Sequence, residues 1–85
     1  MAKMKNKEAE WLSNYLYFIG RKYPYVLIDL LETYVFSEKA KMIMIYRYIE
    51  QKTFDEISLL VHTEVRQVQI LRTNTLNVLL GTKLS

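Results

Sequence analysis

Side chains able to do acid–base, nucleophilic or metal chemistry are few in this 85-residue sequence, and each has a structural occupation. There is one histidine, His62, and no cysteine, which excludes a disulfide framework, a zinc–thiolate site and a thiol nucleophile. His62 is followed by Thr63 in a segment that reads as a tight turn. Asp55 and Glu56 belong to Thr53-Phe54-Asp55-Glu56, the pattern of a capping box. In it the Thr53 hydroxyl accepts from the Glu56 N–H while the Glu56 carboxylate accepts from the Thr53 N–H. Asp29 and Glu32 fall on one helix face, where a solvated pair is the ordinary outcome. No glycine-rich phosphate loop and no metal-ligand cluster is visible. The chain is expected not to be an enzyme, and to need neither cofactor nor metal.

The elements around these residues are helical. Two glycines and one proline are the only strong breakers, and each falls where a helix is expected to begin or end. Glu8 to Ile19 repeats Trp11, Leu12, Tyr15, Phe18 and Ile19 at helical spacing, with Gly20 as its stop. Pro24 suits the first turn of a second helix to about Val35, with Leu27, Leu30, Leu31 and Tyr34 on one face. Ser37 is the expected cap of a third helix to about Gln51, with Met42, Ile45, Tyr46 and Ile49 inward and Glu38 favourable to the dipole. A short helix over Thr53 to Val61 buries Phe54, Ile57, Leu60 and Val61. A last one, capped by Thr63 and stopped at Gly81, keeps Val65, Val68, Leu71, Leu76 and Leu79 apolar. The fold class is therefore all-α: one compact bundle of about five helices over 1–85, with a helix-turn-helix over about 37–81 and a basic N-terminal arm over 1–8.

Hydrophobic residues make up 51% of the chain and charged residues 25%, the balance of a globular domain. The N-terminus is too polar for a signal peptide, and the most apolar stretch, Tyr25 to Phe36, is too short to span a bilayer. A cytoplasmic location in a bacterial or phage-infected cell is expected, with no membrane partner. Net charge is +3, and all of the excess lies in residues 1–22, where five basic residues face two acidic ones. Residues 23–52 and 53–85 are each neutral.

The stretch from Met42 to Leu80 resembles region 4 of the sigma-70 family of transcription initiation factors. Ile45-Tyr46-Arg47-Tyr48 is similar to the end of that family's first apolar helix, and Asp55-Glu56-Ile57-Ser58 to its next one. Val68, Leu71, Leu76 and Leu79 fall at the apolar positions of its last helix. The match covers about 40 of the 85 residues without a gap. It departs in the turn, where His62 stands at a position usually glycine and Thr63 at one usually apolar. Nothing resembling the promoter-melting part of a sigma factor is present, so the likeness is to a stand-alone domain.

That resemblance implies a small regulator whose last helix enters the major groove. Carried over position by position, the outward residues include Glu64 and the base-reading candidates Arg66, Gln67, Gln69, Ile70 and Thr73. Arginine pairs in bidentate fashion with guanine, and glutamine with adenine. Thr63, Arg72, Lys52 and Arg47 are the phosphate candidates, with Lys39 and Lys41 as further compensating charge. Residues 53–81 are net acidic by one charge, whereas DNA binders draw most of their affinity from phosphate neutralisation. A dimer, RNA polymerase or another transcription protein is the expected help. The alternative is a protein-binding module that keeps the same scaffold but does not read DNA; a phage packaging or replication accessory is a third reading. For protein docking the crowded aromatics matter, and Tyr17 and Tyr25, which fall off the apolar stripes, are the residues expected outside.

Overall fold

The computed structural model describes residues 6–84, with side chains described for 10–81. All of the regular structure in it is helical: α1 (Asn6–Lys22), α2 (Pro24–Tyr34), α3 (Glu38–Tyr48), α4 (Phe54–Val61) and α5 (Val65–Leu84). The five form a compact globule with a radius of gyration of 12.1 Å. Among the described residues no helix is long and apolar enough to cross a membrane. Of the basic arm expected over 1–8, residues 1–5 lie outside the described residues, and the backbone of 6–8 belongs to α1.

Local chemistry sets most of the boundaries. Pro24 occupies the first turn of α2, where its missing N–H leaves no helical bond unmade. The Ser37 hydroxyl accepts from the Ala40 N–H at 3.2 Å and starts α3. The capping box forms in full at α4, with the Thr53 N–H on Glu56 Oε1 at 2.8 Å and the Glu56 N–H on Thr53 Oγ1 at 3.1 Å. His62 ends α4 in the left-handed region, φ 54° and ψ 48°, a conformation usually left to glycine or asparagine. α3 stops at Tyr48, short of the expected Gln51, because the Lys52 N–H turns back onto the Tyr46 carbonyl and Gln51 also goes left-handed, φ 57°.

Neither glycine ends a helix. Gly81 lies within α5, which continues to Leu84. Gly20 lies within α1, and a Cβ placed on it would overlap the Tyr48 carbonyl oxygen and come within 2.8 Å of the Tyr48 carbonyl carbon. Gly20 thus marks where α1 meets α3 backbone to backbone. That contact also explains which face of α1 is buried. Leu12, Leu16 and Ile19 pack inward, while Trp11, Tyr15 and Phe18, expected on the inner stripe, are about half exposed. Both sets repeat at helical spacing, but rings on the inner face would hold α1 too far from α3 for Gly20 to touch it. The inward set of α3 is likewise rotated from expectation: Ala40, Ile43, Met44 and Tyr48 are buried, Ile45, Tyr46 and Ile49 half-buried, and Met42 exposed. Tyr34 and Leu60, also expected inward, are exposed. In α5 the expected apolar positions Val68, Leu76 and Leu79 are buried and Val65 and Leu71 half-buried.

The core has two parts. The larger joins Leu12, Leu16 and Ile19 of α1, Leu27 and Leu31 of α2, Met44 and Tyr48 of α3, and Leu76, Leu79 and Leu80 of α5. The smaller consists of Ile43, Ile57 and Val68, bordered by Tyr46, Phe54, Val61 and Leu71, and attaches α4 to α3 and α5. α3 and α5 run through both parts. Tyr48, wholly buried in the larger part, shares a hydrogen bond with Ser13 Oγ at 2.7 Å and accepts from Arg72 Nη1 at 3.2 Å.

Candidate nucleic-acid interface

The candidate face is built on α5, which follows a hydrogen-bonded turn. The Thr63 N–H bonds the Ser58 carbonyl at 3.0 Å, Ser58 Oγ donates to the Thr63 carbonyl, and Thr63 Oγ1 donates to the Val61 carbonyl at 3.0 Å. The Thr63 hydroxyl therefore closes the turn rather than capping α5. With Val68 locked on Ile43 and Ile57, the start of α5 is fixed in rotation as well as direction.

Arg66, Gln67, Gln69, Ile70 and Thr73 are all exposed. Arg66, Gln69, Ile70 and Thr73 recur at i, i+3, i+4 and i+7, and with Asn74 they line one open depression of about 360 Å³. Gln67 lies on its flank. Glu64 precedes the helix, and its carbonyl accepts from the Val68 N–H at 2.9 Å. The depression is lined by one cation, an amide pair, a hydroxyl and an apolar side chain, with no carboxylate among them.

The phosphate candidates are disposed differently. Arg72 is half-buried. Its guanidinium lies 5.4 Å from the Phe54 ring centroid and donates to the Tyr48 hydroxyl, and its Nε is buried without an acceptor. Arg47 lies 4.3 Å from the Phe54 centroid and 5.6 Å from that of Tyr17. Its Nη1 donates to the Lys52 carbonyl at 3.0 Å, and its Nε too is buried without an acceptor. Lys52 is half-buried, 3.8 Å from Glu50. Lys41 is committed within the fold: its ammonium is 3.0 Å from both Glu32 and Glu38. The hydrogen bonds from these two carboxylates, Glu32 first, raise its pKa above the ordinary lysine value. Glu56 is shifted the other way, lowered chiefly by the Thr53 backbone N–H and then by its hydroxyl.

Of the two aromatics expected outside, Tyr25 is 68% exposed and meets Tyr23 edge-on with ring centroids 6.4 Å apart. Tyr17 is half-buried, tilted against Tyr48 at 4.5 Å and covered by Arg47. The exposed rings that periodicity assigned to the core are Trp11 and Tyr15, stacked at 5.9 Å, and Phe18. Phe36, in the α2–α3 link, is 90% exposed. A further group escaped the sequence reading: Tyr17, Arg21, Arg47 and Gln51 line one pocket of about 330 Å³. Half of the signal was present, because Tyr17 and Arg21 are four residues apart on α1 and share a side, whereas Gln51 lies beyond the end of α3. Among the described residues no group of His, Cys, Asp or Glu is disposed to hold a metal ion. Comparison with known proteins adds no relative: no protein-family model, curated protein or solved structure matches the chain.

Proposed function

We propose that the chain is a small helix-turn-helix transcription regulator, similar to region 4 of sigma-70 factors, that binds duplex DNA through α5. The observation that carries the reading is the acid-free exposed face of Arg66, Gln69, Ile70 and Thr73, flanked by Gln67. A guanidinium and two amides at the start of a helix match the acceptor and donor edges of guanine and adenine, and Ile70 suits a thymine methyl. The left-handed His62 is consistent with it, since it ends α4 and leaves only Thr63 and Glu64 before α5 begins. The exposed rings of α1 and α2 suit a second contact, on RNA polymerase or another transcription protein, within the cytoplasm.

A fluorescent mixed duplex pool at low and moderate salt tests this, comparing wild type with Arg66→Ala plus Gln69→Ala. Binding that weakens with salt and drops in the double variant is the expected result. No wild-type binding even at low salt would overturn it. A second reading, a protein-binding module that does not touch DNA, is favoured by the Trp11–Tyr15 stack with Phe18 beside a neutral C-terminal half. It predicts the opposite outcome of the same experiment.

A further inference from the structure

The pocket lined by Tyr17, Arg21, Arg47 and Gln51 joins two guanidiniums, a phenol and an amide. No carboxylate lines it, and neither arginine is paired with an acid among the described residues. Two cations facing one recess repel each other unless an anion enters it. Arg47 is also held in place in advance, on Phe54 at 4.3 Å, under Tyr17 and on the Lys52 carbonyl, so an anion meets it already oriented. Gln51, left-handed at φ 57°, brings its amide to the same recess from the α3–α4 link. Guanidinium forks with neutral donors beside them are a set suited to phosphate oxygens.

We propose that this pocket binds a phosphodiester of the DNA backbone, so that α1 grips the duplex from outside the α4–α5 pair. The inference rests on the DNA-binding reading above and adds a place where phosphate is held. The charge distribution favours that place. Residues 53–85 are neutral, while the excess of +3 lies in residues 1–22, the segment that supplies Arg21. Phe54 contacts both Arg47 and Arg72, which ties the pocket to the inward side of α5.

The test is the salt dependence of duplex binding by the full chain. Arg21 is exposed and makes no hydrogen bond among the described residues, so Arg21→Ala leaves the fold intact. The expected result is a slope of log K against log salt shallower by about 0.9, the value of one phosphate. Affinity falls to a similar extent across all sequences, and Arg21→Lys, which keeps the charge but not the fork, restores the slope and only part of the affinity. Lys22→Ala, one residue on but outside the pocket, leaves the slope unchanged. Equal losses from Arg21→Ala and Lys22→Ala would overturn the pocket in favour of diffuse charge. An unchanged Arg21→Ala slope, with Arg66→Ala still impaired, would overturn the pocket and leave the α5 reading standing. No binding by wild type would overturn both. Inorganic phosphate is titrated at constant ionic strength as a separate arm. Sub-millimolar binding abolished by Arg21→Ala, with the DNA slope unchanged, would assign the pocket to a free anion and overturn the proposal. Weak phosphate binding beside the lost slope is the expected pair.

Discussion

Gly20→Ala is the sharpest test of how α1 sits on α3. Alanine is preferred over glycine in a helix by about 1 kcal/mol, so helix propensity alone predicts stabilisation. The packing predicts the reverse. The new Cβ would overlap the Tyr48 carbonyl oxygen and approach its carbon to 2.8 Å, where contact distances are about 3.5–4.0 Å. The obstacle is backbone, so no rotamer change relieves it, and α1 and α3 must separate by about 1 Å. Overpacking of this kind costs about 1–3 kcal/mol. The same separation strains the Ser13–Tyr48 hydrogen bond, worth about 1 kcal/mol more. After the propensity gain, a net loss of about 2 kcal/mol is expected. For a domain of this size that lowers Tm by roughly 10 °C. Gly81→Ala is the internal control: nothing lies within 4 Å of its Cβ and its φ is not positive, so it should raise stability by up to about 1 kcal/mol. Urea and thermal melts followed by circular dichroism read both. A Gly20→Ala protein as stable as wild type would refute the close approach.

Further expectations concern the turn, the buried tyrosine and pH. His62→Gly relieves a left-handed side-chain residue and should stabilise by about 1 kcal/mol, whereas His62→Val should destabilise; equal melts for the two would contradict the turn geometry. Tyr48→Phe leaves Ser13 and Arg72 without their shared hydroxyl at a wholly buried site, a loss of about 1–3 kcal/mol by urea titration. Phe36→Ser removes a side chain that is almost fully exposed and should shift stability by less than about 0.5 kcal/mol. The Glu56 pKa is lowered in the fold, so its stabilising contribution is present above the ordinary glutamate pKa and is lost as pH falls through the depressed value. Glu56→Gln should flatten the acid limb of a stability–pH profile. Lys41 behaves oppositely: its raised pKa gives a contribution present below the ordinary lysine pKa and lost as pH climbs through the raised one.

Legibility from sequence followed the range of the interaction. The capping box, Pro24, the Ser37 cap and the His62 turn depend on a few neighbouring residues and were readable as written. The inner faces of α1 and α3 were not. In α1, Trp11-Tyr15-Phe18 and Leu12-Leu16-Ile19 are both helical stripes, and the choice between them was made by Gly20 touching Tyr48, a contact 28 residues away in sequence. In α3 nearly every residue from Met42 to Ile49 is apolar or aromatic, so periodicity carried little information about rotation. The exposure of Arg66, Gln69, Ile70 and Thr73 followed from Val68, Leu71 and Leu76 being inward or half-inward on the same helix. The inward turn of Arg72 and Arg47 did not follow, because it depends on Phe54 arriving between them.

The division of the core has a consequence for hydrogen exchange. α4 is attached through a centre of Ile43, Ile57 and Val68, while α1 and α2 share a much larger apolar body with α3 and the far half of α5. Opening free energies should therefore be graded along the molecule. Amides of α4 and the first turns of α5 should exchange through a local opening, and those around Leu16, Met44 and Leu76 through global unfolding. The two ends of α5 would then belong to different cooperative units, and the unit bearing Arg66 could shift against a surface while the one bearing Leu76 stays closed.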